Sequence, residues 1–135
     1  MHPKPQKINA KLVKPDETLK PEEGWHNVVL RWIITEDTVG SELGTLGYTI
    51  LPPKAQHAPH VHENAEEYII IKSGHAKGSI NDYVYEAGPD DIIFIPKGAL
   101  HYIEKPSNVD LLEIYFIYAG GSSLQKSGYK LKEKQ

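Results

Sequence analysis

The sequence predicts an all-β domain, either a sandwich or a jelly-roll barrel, and three observations support this prediction. Short β-prone segments recur along the chain, most clearly at residues 28–34, 45–51 and 111–118. Turns rich in Gly, Pro, Asn and Asp separate these segments, and the apolar period of a helix is almost absent. With 135 residues the chain is long enough to bury the core of a single domain.

The first part of the chain, residues 1–24, is expected to be an arm outside the barrel. Residues 8–13 have the composition of a short edge strand that a second subunit could receive, and a loosely ordered arm is the alternative. A continuous helix is excluded because prolines interrupt the segment at Pro3, Pro5, Pro15 and Pro21. We therefore expect the barrel to occupy residues 25–119 and residues 120–135 to form a C-terminal extension.

The centre of the barrel is predicted to contain a hairpin. Residues 75–80 and 83–86 are strand-like, and Asn81 and Asp82 between them form a plausible two-residue turn. A tight polar turn at residues 88–91 then leads into the apolar strand of residues 92–95. The sequence thus predicts a hairpin followed by a turn into the next strand.

The C-terminal part is predicted to begin with the last strand, at residues 111–118. This segment is apolar on both faces, as expected for a central strand between packed layers. Gly120 and Gly121 end it, and residues 122–126 are expected to form one capped helical turn that stops at Gly128. The charged tail of residues 130–135 is expected to fray.

Two histidines and a glutamate in the stretch from residue 57 to 74 have the clearest chemical pattern. His60 and His62 are two positions apart, so both side chains leave the same face of a strand. In the next segment, alternation places Glu67 with isoleucines on the inward face and Lys72 on the outward face. A buried carboxylate needs a partner, and a metal ion held with two imidazoles would satisfy it.

A second segment supplies a third imidazole. Pro96 ends the apolar strand, and the Pro96-Lys97-Gly98 turn delivers His101 at the start of the next segment. Three imidazoles and one carboxylate form a mixed nitrogen and oxygen donor set. The sequence contains no cysteine, which argues against a cysteine-rich structural zinc site. A polar cluster without metal is the alternative interpretation.

These two segments resemble the two motifs of the cupin superfamily. His60-x-His62, then Glu67 after four residues and Gly74 after six more, resembles the first motif. Pro96-x-Gly98-x-x-His101 is similar to the second motif. The resemblance implies a double-stranded β-helix, the jelly-roll or cupin barrel. It also implies that one metal ion is bound by four ligands, namely His60, His62, Glu67 and His101.

The chain departs from the cupin pattern at three positions. The opening glycine of the first motif is replaced by Lys54, and the opening glycine of the second motif by Asp90. The closing asparagine of the second motif is replaced by Lys105. All three are turn or scaffold positions in the family, so the departures concern loop shape rather than metal binding.

The resemblance implies a small metal-dependent enzyme that acts on a compact oxygenated organic substrate. The donor set suits a divalent transition metal, Fe(II), Mn(II), Ni(II) or Zn(II), with one or two positions left open. We favour dioxygenase-like oxidation, with an isomerase, a decarboxylase or a lyase as alternatives. A non-catalytic module that binds a small ligand, and a barrel that keeps metal for stability, are alternatives of another class.

Four further residues are candidates for substrate binding or acid–base catalysis. His57 is either such a residue or an exposed loop histidine. The other three are the tyrosines Tyr48, Tyr102 and Tyr115. Each either binds substrate or exchanges a proton with it, or packs in the core with its hydroxyl hydrogen-bonded.

Composition narrows the expected partners and compartment. The formal net charge is −3 and no basic stripe is present, which argues against nucleic acid or an anionic membrane as partner. The absence of cysteine, of a signal-peptide pattern and of a membrane-spanning run indicates a cytoplasmic protein. The cupin resemblance also implies a homodimer, for which the Trp-containing early strands are a candidate interface.

Overall fold

The computed structural model describes residues 3–106 and 110–132. A single four-residue α-helix, α1, spans Glu36–Val39 of the described residues, and 3-10 turns span Ala10–Leu12 and Pro21–Glu23. The remaining elements are the strands β1 (Trp25–His26), β2 (Val29–Ile34), β3 (Gly44–Leu51), β4 (Gln56–His62), β5 (Glu66–Ser73), β6 (Ala76–Ile80), β7 (Tyr83–Ala87), β8 (Ile92–Ile95), β9 (His101–Glu104), β10 (Leu112–Ala119) and β11 (Tyr129–Leu131).

Two antiparallel sheets form the barrel. The first has the order β1-β4-β9-β6-β7, with β11 also paired to β4, and the second has the order β2-β3-β10-β5-β8. The apolar core lies between them and includes Leu30, Leu51, Ile71, Ile95 and Leu112, each at most 2% exposed. The predicted all-β jelly-roll barrel is confirmed.

Strand β10 occupies the central position that its apolar sequence predicts. It pairs with β3 on one side and with β5 on the other. Its even-numbered residues, from Leu112 to Tyr118, are buried against the core, whereas its odd-numbered residues are partly exposed. The prediction that this is the last strand is wrong, because β11 follows and pairs with β4.

The hairpin and the capped turn agree with their predictions. Strands β6 and β7 pair around Asn81, which has a φ of 51°. In the C-terminal extension, the Ser123 hydroxyl accepts a hydrogen bond from the Lys126 amide at 3.0 Å. Gly128, with a φ of 78°, ends this turn. The expectation that the tail frays is wrong for Lys130 and Leu131, which belong to β11, and residues 133–135 lie outside the described residues.

The N-terminal arm differs from the edge strand considered for residues 8–13. Ala10–Leu12 forms a 3-10 turn within the chain, because the Asn9 side chain accepts a hydrogen bond from the Lys11 amide at 3.0 Å. Such a local side-chain bond competes with strand pairing. The segment therefore makes its own turn and joins neither sheet.

The arm continues along the outer edge of β2. The Asp16 amide donates to the Leu30 carbonyl at 2.8 Å, and the Asp16 carboxylate accepts from the Trp32 indole at 2.9 Å. These bonds use backbone and side-chain groups that an edge strand would otherwise present to another chain.

The two positions where cupins have opening glycines keep the glycine conformation. Lys54 has a φ of 69° and Asp90 a φ of 71°, both in the left-handed region that favours glycine. The turns therefore have a glycine-like backbone at the expense of strain.

The third departure, Lys105, is part of the scaffold. Its side chain is buried, and Nζ lies 2.5 Å from an Asp110 carboxylate oxygen. Its backbone binds the Ala55 carbonyl and the Lys54 amide at 2.9 and 3.1 Å. Lys105 thus ties the end of β9 to the turn before β4.

None of the described helices has the length and hydropathy required to cross a membrane.

Candidate metal centre

Three histidines and one glutamate meet inside the barrel. His60 and His62 lie on β4, His101 begins β9, and the pairing of these strands places His60 opposite His101. Glu67 approaches from β5 in the facing sheet. All four residues are between 2% and 6% exposed. Their potential ligand atoms lie within 4.8 Å of one another, close to the span that one cation with bonds of about 2.1 Å allows.

The Glu67 carboxylate is held in its charged form. One of its oxygens lies 3.0 Å from His101 Nε2 and 3.3 Å from His62 Nε2. Burial alone would raise the pKa of Glu67, but the closeness of the His101 and His62 rings, which favours the carboxylate when either ring holds a proton toward it, outweighs burial and lowers this pKa well below its usual range. Burial, with His101 and His62 nearby, lowers the pKa of His60 well below its usual range, which keeps this imidazole neutral.

The outward ring nitrogens of the histidines show which nitrogens are free. His60 Nδ1 lies 2.7 Å from the Ala58 carbonyl, and His101 Nδ1 lies 2.9 Å from the Ala99 carbonyl. A carbonyl only accepts, so each Nδ1 carries a proton. When the ring is neutral, Nε2 then carries a lone pair directed at the cluster, so the 3.0 Å approach of His101 Nε2 to the Glu67 oxygen is a hydrogen bond only if that ring holds a second proton.

In His62 a side chain, rather than a backbone carbonyl, accepts the Nδ1 proton and fixes the same tautomer. Its Nδ1 lies 2.8 Å from the hydroxyl oxygen of Ser127. That hydroxyl donates its one proton to the Leu124 carbonyl at 2.5 Å, so the oxygen must accept from His62 Nδ1. Nε2 of His62 is buried and has no hydrogen-bond partner among the described residues.

This donor set fits a divalent cation. Lone pairs of neutral imidazoles beside an ionised carboxylate repel one another unless a proton or a metal ion lies between them. A divalent cation bound by three neutral imidazoles and one carboxylate would remove this repulsion and satisfy His62 Nε2. The cluster of His60, His62, Glu67 and His101 can therefore hold a metal ion.

A narrow cavity of about 30 Å³ opens beside the cluster. His60, Glu67 and His101 form part of its wall, and Thr49 is a further polar residue in it. The rest of the wall is mostly apolar and aromatic, with Trp25, Val28, Leu30, Leu51, Ile69, Ile103, Ile114, Phe116 and Tyr118. Such a wall keeps water out and strengthens the electrostatic effect of a charge at the cluster.

His57 also lines the cavity, so the alternative of an exposed loop histidine is wrong. Its ring stacks between Trp25 and His60, with centroid distances of 3.8 and 3.7 Å. Nε2 lies 3.0 Å from the Tyr129 hydroxyl, which donates to the Glu23 carbonyl at 2.5 Å. His57 therefore supports the ring of His60. Burial, with His60 and the other two histidines, lowers the pKa of His57 well below its usual range.

The structure does not bring the three candidate tyrosines to the cluster. Tyr48 and Tyr115 stack on each other with a centroid distance of 4.9 Å, and the Tyr48 hydroxyl donates to Glu113. Tyr115 lies on the face of β10 opposite the buried side chains. Tyr102 lies between His101 and Ile103, whose side chains are buried, so strand alternation turns it outward.

Sequence reasoning missed Ser127 and Tyr129, both in the C-terminal extension. Strand β11 places Tyr129 opposite His62 on β4, and the turn before β11 supplies Ser127. No motif marks these residues. The one available signal was the short polar turn of residues 122–128 before a β-prone pair.

Comparisons with known proteins agree with this fold. The family model of the Cupin domain matches residues 47–118, which include all four candidate ligands. A predicted oxalate decarboxylase from Thermotoga maritima has a similar structure, with a TM-score of 0.75 and 19% identity over 85% of this chain and 99% of that one. At this level of identity the likeness shows the fold alone.

Two curated relatives are similar in sequence over part of their length. An uncharacterized HTH-type transcriptional regulator, YdiP, from Escherichia coli is 39% identical over 42% of this chain and 18% of its own length. The tetracenomycin polyketide synthase protein TcmJ from Streptomyces glaucescens is 26% identical over 64% of this chain and 58% of its own length. The chain thus spans less than two thirds of either relative. Because the family model covers more than half of its residues, the chain belongs to the Cupin domain family.

Proposed function

We propose that the chain is a small metal-dependent enzyme that acts on a compact oxygenated organic substrate. The metal is one divalent transition ion, Fe(II), Mn(II), Ni(II) or Zn(II), and its ligands are His60, His62, Glu67 and His101. One observation carries the proposal: three buried imidazole nitrogens and one buried carboxylate oxygen lie within 4.8 Å of one another, and the cluster borders a cavity.

The cavity supports a catalytic role over a purely structural one. Three ligands form part of its wall, so a molecule in it would contact the centre directly. A divalent metal at this position would supply Lewis-acid polarisation of a substrate oxygen, or redox chemistry with dioxygen. The chain itself contributes a charge-balancing carboxylate and neutral imidazoles. Its apolar wall excludes water from a bound substrate.

Dioxygenase-like oxidation is the reaction we favour, because three imidazoles and one carboxylate are compatible with Fe(II). Isomerisation, decarboxylation and lyase-type elimination are the alternatives within the enzyme class. The small cavity supports a compact substrate in every case. Decarboxylation would agree with the activity predicted for the Thermotoga maritima protein, an oxalate decarboxylase.

A second candidate function is a non-catalytic module that binds a small ligand and reports it to a partner. The similarity to a transcriptional regulator over 56 residues supports this candidate. It uses the same cavity and metal. It differs from the enzyme in one measurable property, because the bound ligand is released without chemical change.

We further propose that the protein is a cytoplasmic homodimer. Each chain binds a small-molecule substrate, and neither nucleic acid nor a membrane is a partner. The net charge of −3 supports the absence of a polyanionic partner. An apolar surface formed by Tyr83, Val84, Ile92 and Phe94, here named the β7–β8 patch, is more than half exposed at each residue. We place the dimer contact there, because Trp25 and Trp32 pack within their own chain.

The test compares the wild type with His101→Ala and with a matched control, His75→Ala. His75 is 70% exposed at its side chain and belongs to no metal cluster among the described residues. We expect about one metal ion per wild-type or His75→Ala chain, and near none in His101→Ala. Turnover is then measured in a screen of compact acids, by oxygen uptake and product analysis. We expect it to fall at least a hundredfold in His101→Ala and to stay at the wild-type level in His75→Ala.

Three results would point elsewhere. A ligand that binds but returns unchanged supports the non-catalytic module. A fall in melting temperature on metal removal, with no ligand bound by any variant, supports a structural metal. Equal metal content in all three proteins contradicts the proposed centre.

A further inference from the structure

Two cavities lie on either side of one tryptophan. The inner cavity, beside the candidate metal centre, has a volume of about 30 Å³. A second cavity of about 340 Å³, here named the outer pocket, lies between the N-terminal arm, α1 and the C-terminal extension. Of the described residues, Trp25 alone lines both. Trp32 lines only the outer pocket, and its ring packs on Phe116 and Tyr118 of the inner cavity. An aromatic wall therefore separates the two spaces.

The inner cavity is too small for the substrate that the proposed function requires. A cavity needs about 10–15 Å³ to hold one water molecule, so the inner cavity holds about two. Ligand pockets in proteins usually have roughly 300–1,000 Å³. The outer pocket has such a volume, and exposed residues such as Glu23 and Asp37 border it. An organic molecule can therefore reach the metal centre only if part of the aromatic wall moves.

Trp25 is the part of the wall that the fold holds least firmly. It lies on β1, a two-residue strand at the edge of the first sheet. The residues on either side of this strand, Gly24 and Asn27, have left-handed backbones with φ angles of 99° and 60°. By contrast, Phe116 and Tyr118 belong to β10, which is paired on both sides. A short edge element between two turns can shift while the rest of the sheet stays paired.

A stack of rings holds Trp25 in its closed position. The centroid of its ring lies 3.8 Å from that of His57, and the His57 centroid lies 3.7 Å from that of His60. Trp25 is 5% exposed, so its indole covers His57 on the side opposite His60. Ring stacking adds only modestly to the stabilisation that burial supplies, so contacts with a ligand can replace it.

We infer that the substrate reaches the metal centre through the outer pocket and that Trp25 is the gate. An organic molecule enters when Trp25 leaves its stack on His57. The molecule keeps Trp25 displaced while it is bound, because the closed inner cavity has no room for it. This inference rests on the proposed function and adds an entry route and a residue that determines the size of the ligand.

The first test measures how fast probes reach the metal in the full chain loaded with Co(II), whose visible spectrum reports its ligands. The probes are imidazole and the smaller azide anion. In stopped-flow mixing, we expect imidazole to bind at least tenfold faster in Trp25→Phe than in the wild type, because the smaller ring obstructs the entry less. Azide should bind less than threefold faster.

Trp32→Phe is the matched control. It loosens the same wall from the outside and removes the indole bond to Asp16, but Trp32 does not line the inner cavity. We expect imidazole to bind to this variant less than threefold faster than to the wild type. Equal imidazole rates in the wild type and Trp25→Phe, or an equal acceleration in Trp32→Phe, would overturn the inference.

Trp32→Phe also supplies an equilibrium readout that leaves the gate itself unaltered. The sequence contains two tryptophans, so Trp25 is the only one left in this variant. In its Zn(II) form, imidazole at a concentration that saturates the centre by calorimetric titration should shift the Trp25 emission to longer wavelength. Quenching by acrylamide should rise at least twofold, because the displaced indole meets solvent. A saturated complex with unchanged emission and quenching contradicts the gate.

Uptake of Co(II) and Zn(II) is measured first, which distinguishes the two ways of failing. If the wild type takes up metal and the Trp25 readouts do not change, or imidazole binds to none of the variants, the gate is wrong and the metal centre stands. If the wild type takes up neither metal, the proposed function fails and the inferred entry route fails with it.

Discussion

The imidazole nitrogens that face away from the candidate metal centre determine which nitrogens face it. For His60 and His101 the outward partner is a backbone carbonyl, which no side-chain substitution removes. For His62 the partner is the Ser127 hydroxyl, whose own proton is committed to the Leu124 carbonyl. At the scale of single residues, Ser127 is therefore the one partner of these histidines that a side-chain substitution can remove.

Replacing Ser127 with Ala should weaken metal binding by about tenfold to a hundredfold, the usual effect of losing the partner of a ligating histidine. His62 then loses the acceptor that fixes its tautomer and ring orientation. Competition with a chromophoric chelator measures the affinity, and nitrogen NMR of the histidine rings reports the tautomer.

Ser123→Ala is the matched control for this prediction, because the Ser123 hydroxyl stabilises the same turn and, among the described residues, is not seen to hydrogen-bond a candidate ligand. We expect wild-type affinity in this control. Equal losses in the two variants would mean that the turn acts as a whole and that the hydroxyl of Ser127 has no specific part.

Residue-scale prediction from the sequence was strong where spacing along one strand carries the information. The two-residue spacing of His60 and His62, and the alternation that buries Glu67, depend only on strand geometry. The bond between Ser127 and His62 joins residues 65 positions apart, and no local pattern predicts it. The orientation of Tyr115 was also hidden, because β10 is apolar on both faces and alternation then marks no inward side.

At the scale of elements, two turns carry strain that their sequence does not relieve. Lys54 precedes β4 and Asp90 precedes β8, and both adopt a left-handed backbone. The turns keep this shape because backbone bonds hold their ends, such as the Lys54 amide bond to the Lys105 carbonyl at 3.1 Å. The strain is a property of the whole connection between strands.

Lys54→Gly should therefore stabilise the protein by roughly 0.5–1 kcal/mol, since relief of the left-handed conformation exceeds the added entropy of glycine in the unfolded chain. Urea unfolding of the metal-free protein measures the change. The control is Lys97→Gly, at an exposed turn position outside the left-handed region, which should destabilise by about 0.5 kcal/mol. A loss of stability in both variants would show that the Lys54 side chain makes a compensating contact.

Element-scale prediction succeeded for the strands and failed for their neighbours in space. The β6–β7 hairpin and the central position of β10 follow from turn residues and apolar runs, which are local signals. The pairing of β11 with β4 does not, because three residues carry too little periodicity to specify a partner. The arm differs for a similar reason, since an Asn9 cap outweighs a weak strand propensity.

At the scale of the whole molecule, the β7–β8 patch lies where both sheets end. Strand β7 is the edge of the first sheet and β8 is the edge of the second. Edge strands present unpaired backbone groups, and proteins usually protect them with charge or cover them. At the opposite edge, the N-terminal arm covers β2 through Asp16, whereas the side chains of the β7–β8 patch stay exposed. This asymmetry supports the second copy of the chain as the cover.

Phe94→Asp should convert the proposed dimer to a monomer, because a charge buried in a contact between two copies would lack a partner. Phe94 is 55% exposed in the single chain, so the substitution should leave the fold of that chain unchanged. Sedimentation velocity over a range of concentrations measures the mass. The matched control is Leu43→Asp, at a residue that is 84% exposed and lies outside the β7–β8 patch. A metal content near one ion per chain in both variants confirms that each barrel remains folded. A wild type that sediments as a monomer at all concentrations contradicts the placement of the dimer contact. A Leu43→Asp variant that dissociates as readily as Phe94→Asp contradicts it as well.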